Sequence, residues 1–289
     1  MKVVLLSHTQ ISQEFFLELC DAEASEYALE HPMGKLLALT AIRTCYSPNK
    51  PSDVIIKEGE KYLNSKATDG GKGSDADRLI RFIQSSGHTS TLEGLSFNFA
   101  IEGVSRALLA QLTRHRVGFS FSVQSQRYVK QSTDSRHGGF DYVIPEKVKE
   151  FDEVHNSFKE MMRISQMHYD MLIRAGVPQE DARAVLPNAA TCNLVMTANL
   201  TALLSFYSKR KPGAGAQKEI TELAELLKAK VVSVEPWCSE LFNYEPPKKN
   251  SEEEKLFSKI LDIVYSDEIL EEYRMEEIEM LIDKYKGDK

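Results

Sequence analysis

Two spacings of hydrophobic residues divide the chain into predicted strands and helices. The apolar run Met1 to Ser7 predicts a buried strand, and the alternating segment Leu95 to Glu102 predicts a half-buried one. Elsewhere apolar side chains recur every three or four residues, which predicts helices. These helices are expected over residues 33–46, 79–86, 104–113, 146–176, 193–210 and 217–234.

Two of these helices carry an expectation about which side faces the core. The short helix that Gly87 ends is expected to turn four apolar residues inward, namely Leu79, Ile80, Phe82 and Ile83. The long helix over residues 146–176 has an apolar stripe that includes Phe151, Val154, Met161 and Met162. We expect this stripe to pack in the core rather than to touch a cofactor.

Loop and charge patterns suggest the domain organisation. Residues 66–77 are rich in glycine and charge, which favours a surface loop, and the phosphate-binding pattern GxxxxGK[ST] is absent. Residues 246–250 (PPKKN) resemble a linker, and the segment after it is highly charged. We therefore predict one domain over residues 1–245 and a charged helical C-terminal extension over residues 246–289.

Composition narrows the class of protein. The 289 residues are 42% hydrophobic, enough for one substantial core, and the net charge of −7 argues against a nucleic-acid-binding protein. The four cysteines form no CxxC pair and no cluster with histidine, so we expect reduced thiols and no metal site. No apolar run approaches the roughly 20 residues needed to cross a bilayer. These features predict a soluble cytoplasmic protein without a membrane partner.

Arginines that follow apolar segments are the first hint of chemistry. Arg114, Arg116, Arg127, Arg183 and Arg210 stand just after, or within, such segments, with few acids beside them. The planar guanidinium binds phosphate through two hydrogen bonds and keeps its charge. Composition alone leaves two alternatives open, a pocket for an anion or ordinary surface ion pairs.

A longer motif distinguishes between them. Arg114-His115-Arg116 is followed, after eight residues, by Ser125-Gln126-Arg127-Tyr128, and this resembles the signature of the flavin-dependent thymidylate synthases. Three further segments are similar to that family: AIRTCY at 41–46, GHTSTLE at 87–93 and ARAVLP at 182–187. Asn199 and Arg210 then fall at the family's intervals. The similarity extends over residues 33–245.

The resemblance implies that dUMP is the substrate. It assigns Arg210 as the catalytic residue, whose charge favours ionisation of the uracil, and Arg127 and Arg183 as a clamp on the phosphate. The full set of implied substrate-binding residues is Gln111, Arg114, Gln124, Ser125, Gln126, Arg127, Arg183 and Arg210. Ser125 as a covalent nucleophile is the alternative, but the sequence offers no obvious general base beside it.

The resemblance also implies an FAD site without the GxGxxG pattern of a Rossmann domain. The implied cofactor-binding residues are Ser90, Arg114, His115, Arg116, Asn199, Ser205 and His88. For His88 and Glu93, a purely structural role is the alternative. The chain departs from the family at Val123, where Glu or Gln is usual, and Gln124 follows it. Thr201 and Ser205 also replace an arginine and an asparagine often found at those places.

The fold implied by the resemblance is α+β, with a central antiparallel sheet flanked by helices, in a homotetramer whose active sites lie between subunits. The implied reaction moves a methylene group from 5,10-methylenetetrahydrofolate to dUMP, with a hydride from FADH2 and NADPH as reductant. NADH in place of NADPH stays open. Two other readings are a sister flavoenzyme for another pyrimidine nucleotide and a nucleic-acid-binding module that stacks bases on residues 114–128.

Overall fold

The computed structural model describes residues 1–244, 256 and 278–284. The chain forms two compact units, Met1–Asn243 and Tyr244–Lys289, and residues 278–284 of the second are helical. The predicted linker and most of the predicted extension lie outside the described residues. The boundary between the predicted domains therefore stays a prediction.

Four strands and twelve helices make up the first unit among its described residues. The strands are β1 (Lys2–His8), β2 (Ser96–Ser105), β3 (Phe119–Val123) and β4 (Thr191–Asn199). The helices are α1 (Gln13–Asp21), α2 (Glu26–Glu30), α3 (Met33–Tyr46), α4 (Val54–Gly59), α5 (Asp75–Ser86), α6 (Arg106–Leu112), α7 (Glu146–Lys149), α8 (Asp152–Arg174), α9 (Gln179–Ala182), α10 (Leu200–Arg210), α11 (Lys218–Val234) and α12 (Cys238–Asn243).

The strands form one antiparallel sheet in the order β1-β2-β4-β3. Strand β2 lies inside the sheet and buries Phe97, Phe99 and Ile101 on one face, because side chains alternate between the two faces of a strand. Strand β4 buries Leu194 and Met196 on the same core. The predicted α+β class with a central antiparallel sheet is confirmed.

Helices cover the buried face of this sheet. The main core joins strands β2 and β4 to α3, α5, α6, α10 and α11, with Leu203, Phe206 and Leu227 almost fully buried. A second core cluster, which includes Leu19, Tyr27 and Ile55, lies among α1 to α4. Among the described residues, no helix is long and apolar enough to cross a membrane.

The expected helix over residues 193–210 is wrong in its first half. Residues up to Asn199 belong to strand β4, and the helix begins at Leu200. The buried residues Cys192, Leu194 and Met196 alternate with less buried ones, which is the period of a strand. Likewise, Val104 and Ser105 end strand β2, so that α6 begins only at Arg106.

The expected core stripe of the long helix is also wrong. The segment breaks after Lys149, and α8 begins at Asp152 with Phe151 as its N-cap. Met162 is buried, whereas Phe151, Val154 and Met161 are 60%, 51% and 54% exposed. Phe82 of α5 is exposed as well, although Ile80 and Ile83 are buried and Gly87 ends that helix in a left-handed conformation as expected.

Candidate active site

The Arg-His-Arg motif lies on a turn that packs against the start of α10. Residues 114–118 connect α6 to β3, and Gly118 has a φ of +73°. A Cβ there would stand 2.7 Å from Ala202 Cβ, so glycine is required both by the backbone conformation and by the space. The Gly118 carbonyl accepts a hydrogen bond of 3.1 Å from Asn199 N–H.

The first turn of α10 gathers several of the residues predicted to bind the cofactor. Asn199 is the N-cap, and its Oδ1 accepts a 2.8 Å hydrogen bond from Ala202 N–H. Thr201 donates its hydroxyl to the Thr89 carbonyl at 2.9 Å, which ties the turn containing Ser90 to the same helix. One turn further, Ser205 is exposed. These contacts place Ser90, Asn199 and Ser205 around one end of α10.

His115 and Arg210 meet at the other end of α10. Arg210 Nε donates to His115 Nε2 at 3.4 Å, and the imidazole stands edge-on to the Phe206 ring at a centroid distance of 5.0 Å. Burial lowers the pKa of His115, and the positive charges of Arg210 and Lys209 lower it further. A neutral imidazole leaves the charge of Arg210 uncancelled.

Arg114 and Arg116 have no acidic partner among the described residues, and both are exposed. By contrast, Arg43 is paired with Glu58 at 2.5 Å and Arg81 with Asp69 at 2.8 Å. Three arginines without a carboxylate partner among the described residues, counting Arg210, therefore lie on the turn and at the end of α10. This donor set fits the anionic groups of a phosphate-bearing cofactor or nucleotide.

The serine-containing half of the motif follows strand β3. Gln124 N–H donates to the Asn193 carbonyl at 2.9 Å, and Gln124 Oε1 accepts a 3.0 Å hydrogen bond from Asn193 Nδ2. Ser125 Oγ accepts a hydrogen bond of 3.1 Å from Arg127 N–H, which shapes a tight turn. Gln126 is half-buried within it. The predicted phosphate-binding residues 125–127 thus form one compact turn.

Glu180 brings the two predicted phosphate arginines together. Arg127 Nε donates to its carboxylate at 2.7 Å, and Arg183 Nε donates to its backbone carbonyl at 3.0 Å. The pair between Arg127 and Glu180 is about half exposed on both sides. Exposed ion pairs of this kind contribute only about 0–1 kcal/mol, so a phosphate dianion is able to displace the carboxylate.

Gln111 and His88 make their side-chain hydrogen bonds with residues other than 125–127. Gln111 lies on α6 and donates to Gln217 Oε1 at 2.5 Å, before the start of α11. His88 lies at the turn after α5 and contacts the Tyr46 hydroxyl through Nδ1 at 3.0 Å. Among the described residues, the hydrogen bonds of one chain thus do not join Gln111 or His88 to the turn at 125–127.

Comparisons with known proteins show which family contains this chain. The family described as thymidylate synthase complementing protein (Thy1) matches residues 29–237. The chain belongs to this family. The matched residues include the Arg-His-Arg turn, the turn at 125–127, α9 and α10.

Two curated Thy1-type relatives are similar over most of their length. The flavin-dependent thymidylate synthase of Geobacter sulfurreducens is 37% identical over 236 residues, covering 82% of this chain and 84% of the relative. That of Clostridium tetani is 33% identical over 232 residues, covering 75% and 84%. These findings confirm the predicted family and, at the level of the family, the enzyme class and the use of a flavin.

A solved structure supports the fold. The crystal structure of the UMP/dUMP methylase PolB from Streptomyces cacaoi, bound with 5-Br dUMP, has a TM-score of 0.57. It covers 84% of this chain and 94% of its own, at 22% sequence identity. At this identity the likeness concerns the fold alone.

Sequence reasoning missed Arg106. This first residue of α6 donates through a terminal nitrogen to the Gln124 carbonyl at 3.4 Å, and its Nε is buried without a partner among the described residues. A buried donor left unpaired costs free energy, which an acceptor from a ligand would recover. The only signal in the sequence is a charged residue inside the apolar run VSRALLAQL, directly after the N-cap Ser105.

Proposed function

We propose that this protein is a flavin-dependent thymidylate synthase that methylates dUMP to dTMP. The methylene group comes from 5,10-methylenetetrahydrofolate, and NADPH supplies the electrons, so that tetrahydrofolate and NADP⁺ are the other products. The observation that carries this proposal is the Thy1 match over residues 29–237 together with the arginines that lack carboxylate partners.

The phosphate of dUMP would be held on the turn at 125–127. Ser125 offers a hydroxyl, Gln126 a backbone N–H, and Arg127 and Arg183 two guanidinium groups that Glu180 already holds close together. Arg106, whose terminal nitrogen reaches the Gln124 carbonyl, adds a further guanidinium at this place. Gln124 is held by Asn193 through its backbone N–H and its Oε1, which leaves its amide nitrogen as the group that would contact the nucleotide.

Arg210 would act on the uracil ring. Carbon 5 of uracil becomes nucleophilic when negative charge develops on the ring, and a fixed guanidinium stabilises that charge. His115 supports this role because its pKa is lowered by burial and by the neighbouring cations, so the imidazole stays neutral and does not compete as a cation. Arg114 directly precedes His115 in the motif and would contact either the nucleotide or the cofactor.

The cofactor side would be formed by Ser90, Arg114, His115, Arg116, Asn199, Ser205 and His88. FAD, when bound, supplies the hydride that completes the methyl group. Arg114 and Arg116 would bind its pyrophosphate, because they are exposed and have no acidic partner among the described residues. Asn199 would contribute through its amide nitrogen, since its Oδ1 already caps α10.

The same proposal includes a cytoplasmic homotetramer whose active sites lie between subunits. Support for shared sites comes from Gln111, which contacts Gln217 in its own chain rather than the turn at 125–127. A nucleotide bound by both would then draw them from different chains. The exposed apolar residues of α8 supply a surface for such an assembly.

The purified protein tests this proposal directly. Its absorbance spectrum is recorded first, and dTMP formation is then assayed with dUMP, methylenetetrahydrofolate, FAD and NADPH, and with each omitted in turn. We expect a yellow protein that forms dTMP only with all four present. A yellow protein inactive on dUMP but active on UMP would indicate a sister enzyme. A colourless protein without activity would contradict the proposal.

A further inference from the structure

Tyr46 and His88 form a side-chain pair outside the motif of residues 114–128. The Tyr46 hydroxyl lies 3.0 Å from His88 Nδ1, and the two rings stand edge to face at a centroid distance of 6.2 Å. Tyr46 is the last residue of α3 and is 56% exposed, while His88 precedes the turn that carries Ser90. An exposed tyrosine held in this way has a defined direction that packing alone would not give it.

The buried carboxylate of Glu58 holds the chain directly after Tyr46. Glu58 is 8% exposed and accepts hydrogen bonds from Arg43 at 2.5 Å, from Asn49 at 2.8 Å and from the Ser47 hydroxyl. Burial raises the pKa of Glu58, but these three hydrogen bonds lower it by more, so the carboxylate stays charged. Residues 43, 47 and 49 surround Tyr46 in the sequence, so Glu58 fixes the end of α3.

The contact with Tyr46 determines which nitrogen of His88 is left for a ligand. A phenol O–H is a stronger acid than a neutral imidazole N–H, so Tyr46 donates to Nδ1 and the ring proton resides on Nε2. Among the described residues, the His88 ring has no other hydrogen bond. Nε2–H is therefore a free donor, close to the turn that Thr201 ties to α10.

We propose that Tyr46, held in place by Glu58, is a positioning residue that fixes the His88 ring and presents Nε2–H to a fused heteroaromatic ligand. Both the isoalloxazine of a flavin and the pteridine of a folate offer the carbonyl and ring-nitrogen acceptors that such a donor takes. The inference rests on the proposed function, which assigns His88 to the cofactor side of the site.

Steady-state kinetics and flavin titration of Tyr46→Phe test this proposal. The substitution keeps the ring contact with His88 and removes only the hydroxyl. If the pteridine is the ligand, the KM for methylenetetrahydrofolate rises by about tenfold, as expected for one neutral hydrogen bond, while FAD affinity is unchanged. If the isoalloxazine is the ligand, FAD affinity falls by about the same factor. The KM for dUMP is unchanged in either case.

Two further variants separate positioning from general damage. Tyr27→Phe is the control, because the Tyr27 hydroxyl likewise makes a side-chain hydrogen bond, with Glu60, but Tyr27 lies in the second core cluster. It should leave these constants unchanged. In a double-mutant cycle, Tyr46→Phe should have no further effect in a His88→Ala background, because its role passes through that ring.

The outcomes distinguish this inference from the proposed function. An inactive and colourless wild-type protein removes the proposed function and the inference with it. If the wild type makes dTMP and Tyr46→Phe has unchanged constants, the inference alone is wrong. It is equally wrong if Tyr46→Phe raises the KM for dUMP by the same factor, or if its effect persists without His88. Glu58→Gln should reproduce the Tyr46→Phe pattern with a smaller change.

Discussion

Arg210 differs in its partner from several other arginines among the described residues. It donates to a neutral imidazole, whereas Arg43, Arg78 and Arg163 are paired with carboxylates at 2.5–2.7 Å. The positive charge of a guanidinium next to a carboxylate is largely neutralised, so that guanidinium attracts an anionic substrate only weakly. The same group next to His115 keeps its full charge for an anion that develops during the reaction.

Arg210→Ala should therefore lower kcat for dTMP formation by at least about 100-fold, the cost of losing one donor that stabilises transition-state charge. Flavin content, measured by absorbance of the purified variant, should stay near that of the wild type. Arg210→Lys keeps the charge but not the planar fork, so its kcat should lie between the two. Near-normal turnover of Arg210→Ala would show that the charge acts elsewhere.

The lowered pKa of His115 makes a prediction about stability and pH. Because the folded state binds this proton less tightly than the unfolded state, the contribution to stability is present above the ordinary value of 6.5. It is lost as the pH falls below that value. Urea unfolding at about pH 7.5 and about pH 5.5 should show a larger loss for the wild type than for His115→Gln. Equal losses would mean that His115 does not titrate in this way.

At the scale of elements, the start of α10 depends on Asn199. Its Oδ1 caps the helix, and the same residue touches the space above Gly118. Asn199→Ala should lower the free energy of unfolding by about 1 kcal/mol, as measured by urea denaturation. Asn199→Asp keeps the capping oxygen and should be as stable as the wild type. Its FAD affinity should still fall if the amide nitrogen contacts the cofactor, so the pair of variants separates the two roles.

Sequence patterns predicted several elements correctly where their period was clear. Helices α3 and α11 lie almost where the hydrophobic spacing places them, and Gly87 ends α5 as expected. Strand β4 was missed because its residues Thr191–Asn199 run without a break into the apolar helix α10. No glycine or proline marks that boundary, and the N-cap Asn199 is its one local signal.

The motif predicts which residues belong to the candidate site, but it does not predict the contacts among them. Spacing of charged residues identifies Arg127 and Arg183, yet the bridge through Glu180 depends on the docking of α9 beside the turn after β3. The contact between Arg127 and Glu180 joins residues 53 positions apart, and no local pattern encodes it. Arg106 was not predicted for the same reason. Only the three-dimensional structure shows that its Nε is buried without a partner among the described residues.

At the scale of the whole molecule, α8 presents an apolar surface that its own chain leaves uncovered among the described residues. Val154, Met161 and Met171 are 51%, 54% and 56% exposed. Their spacing of seven and ten residues places them on one stripe of the helix, as at a helix–helix interface. Val154 and Met161 of the stripe predicted for the core thus face away from the core of their own chain, whereas Met162 is buried. Packing against a second copy of the chain would bury these apolar side chains, as is usual for a large apolar patch.

Met161→Glu should therefore weaken the proposed tetramer. A charge placed in an apolar interface loses its hydration without gaining a partner, whereas on an exposed helix of a monomer it changes stability by only about 0.5 kcal/mol or less. Light scattering coupled to size-exclusion chromatography should show species smaller than the wild type, and dTMP formation should fall with them because the proposed sites lie between chains. Leu29→Glu is the matched control, since Leu29 of α2 is 75% exposed and lies off this stripe. If Met161→Glu keeps the mass of the wild type, as Leu29→Glu should, then α8 is not the surface that joins the chains.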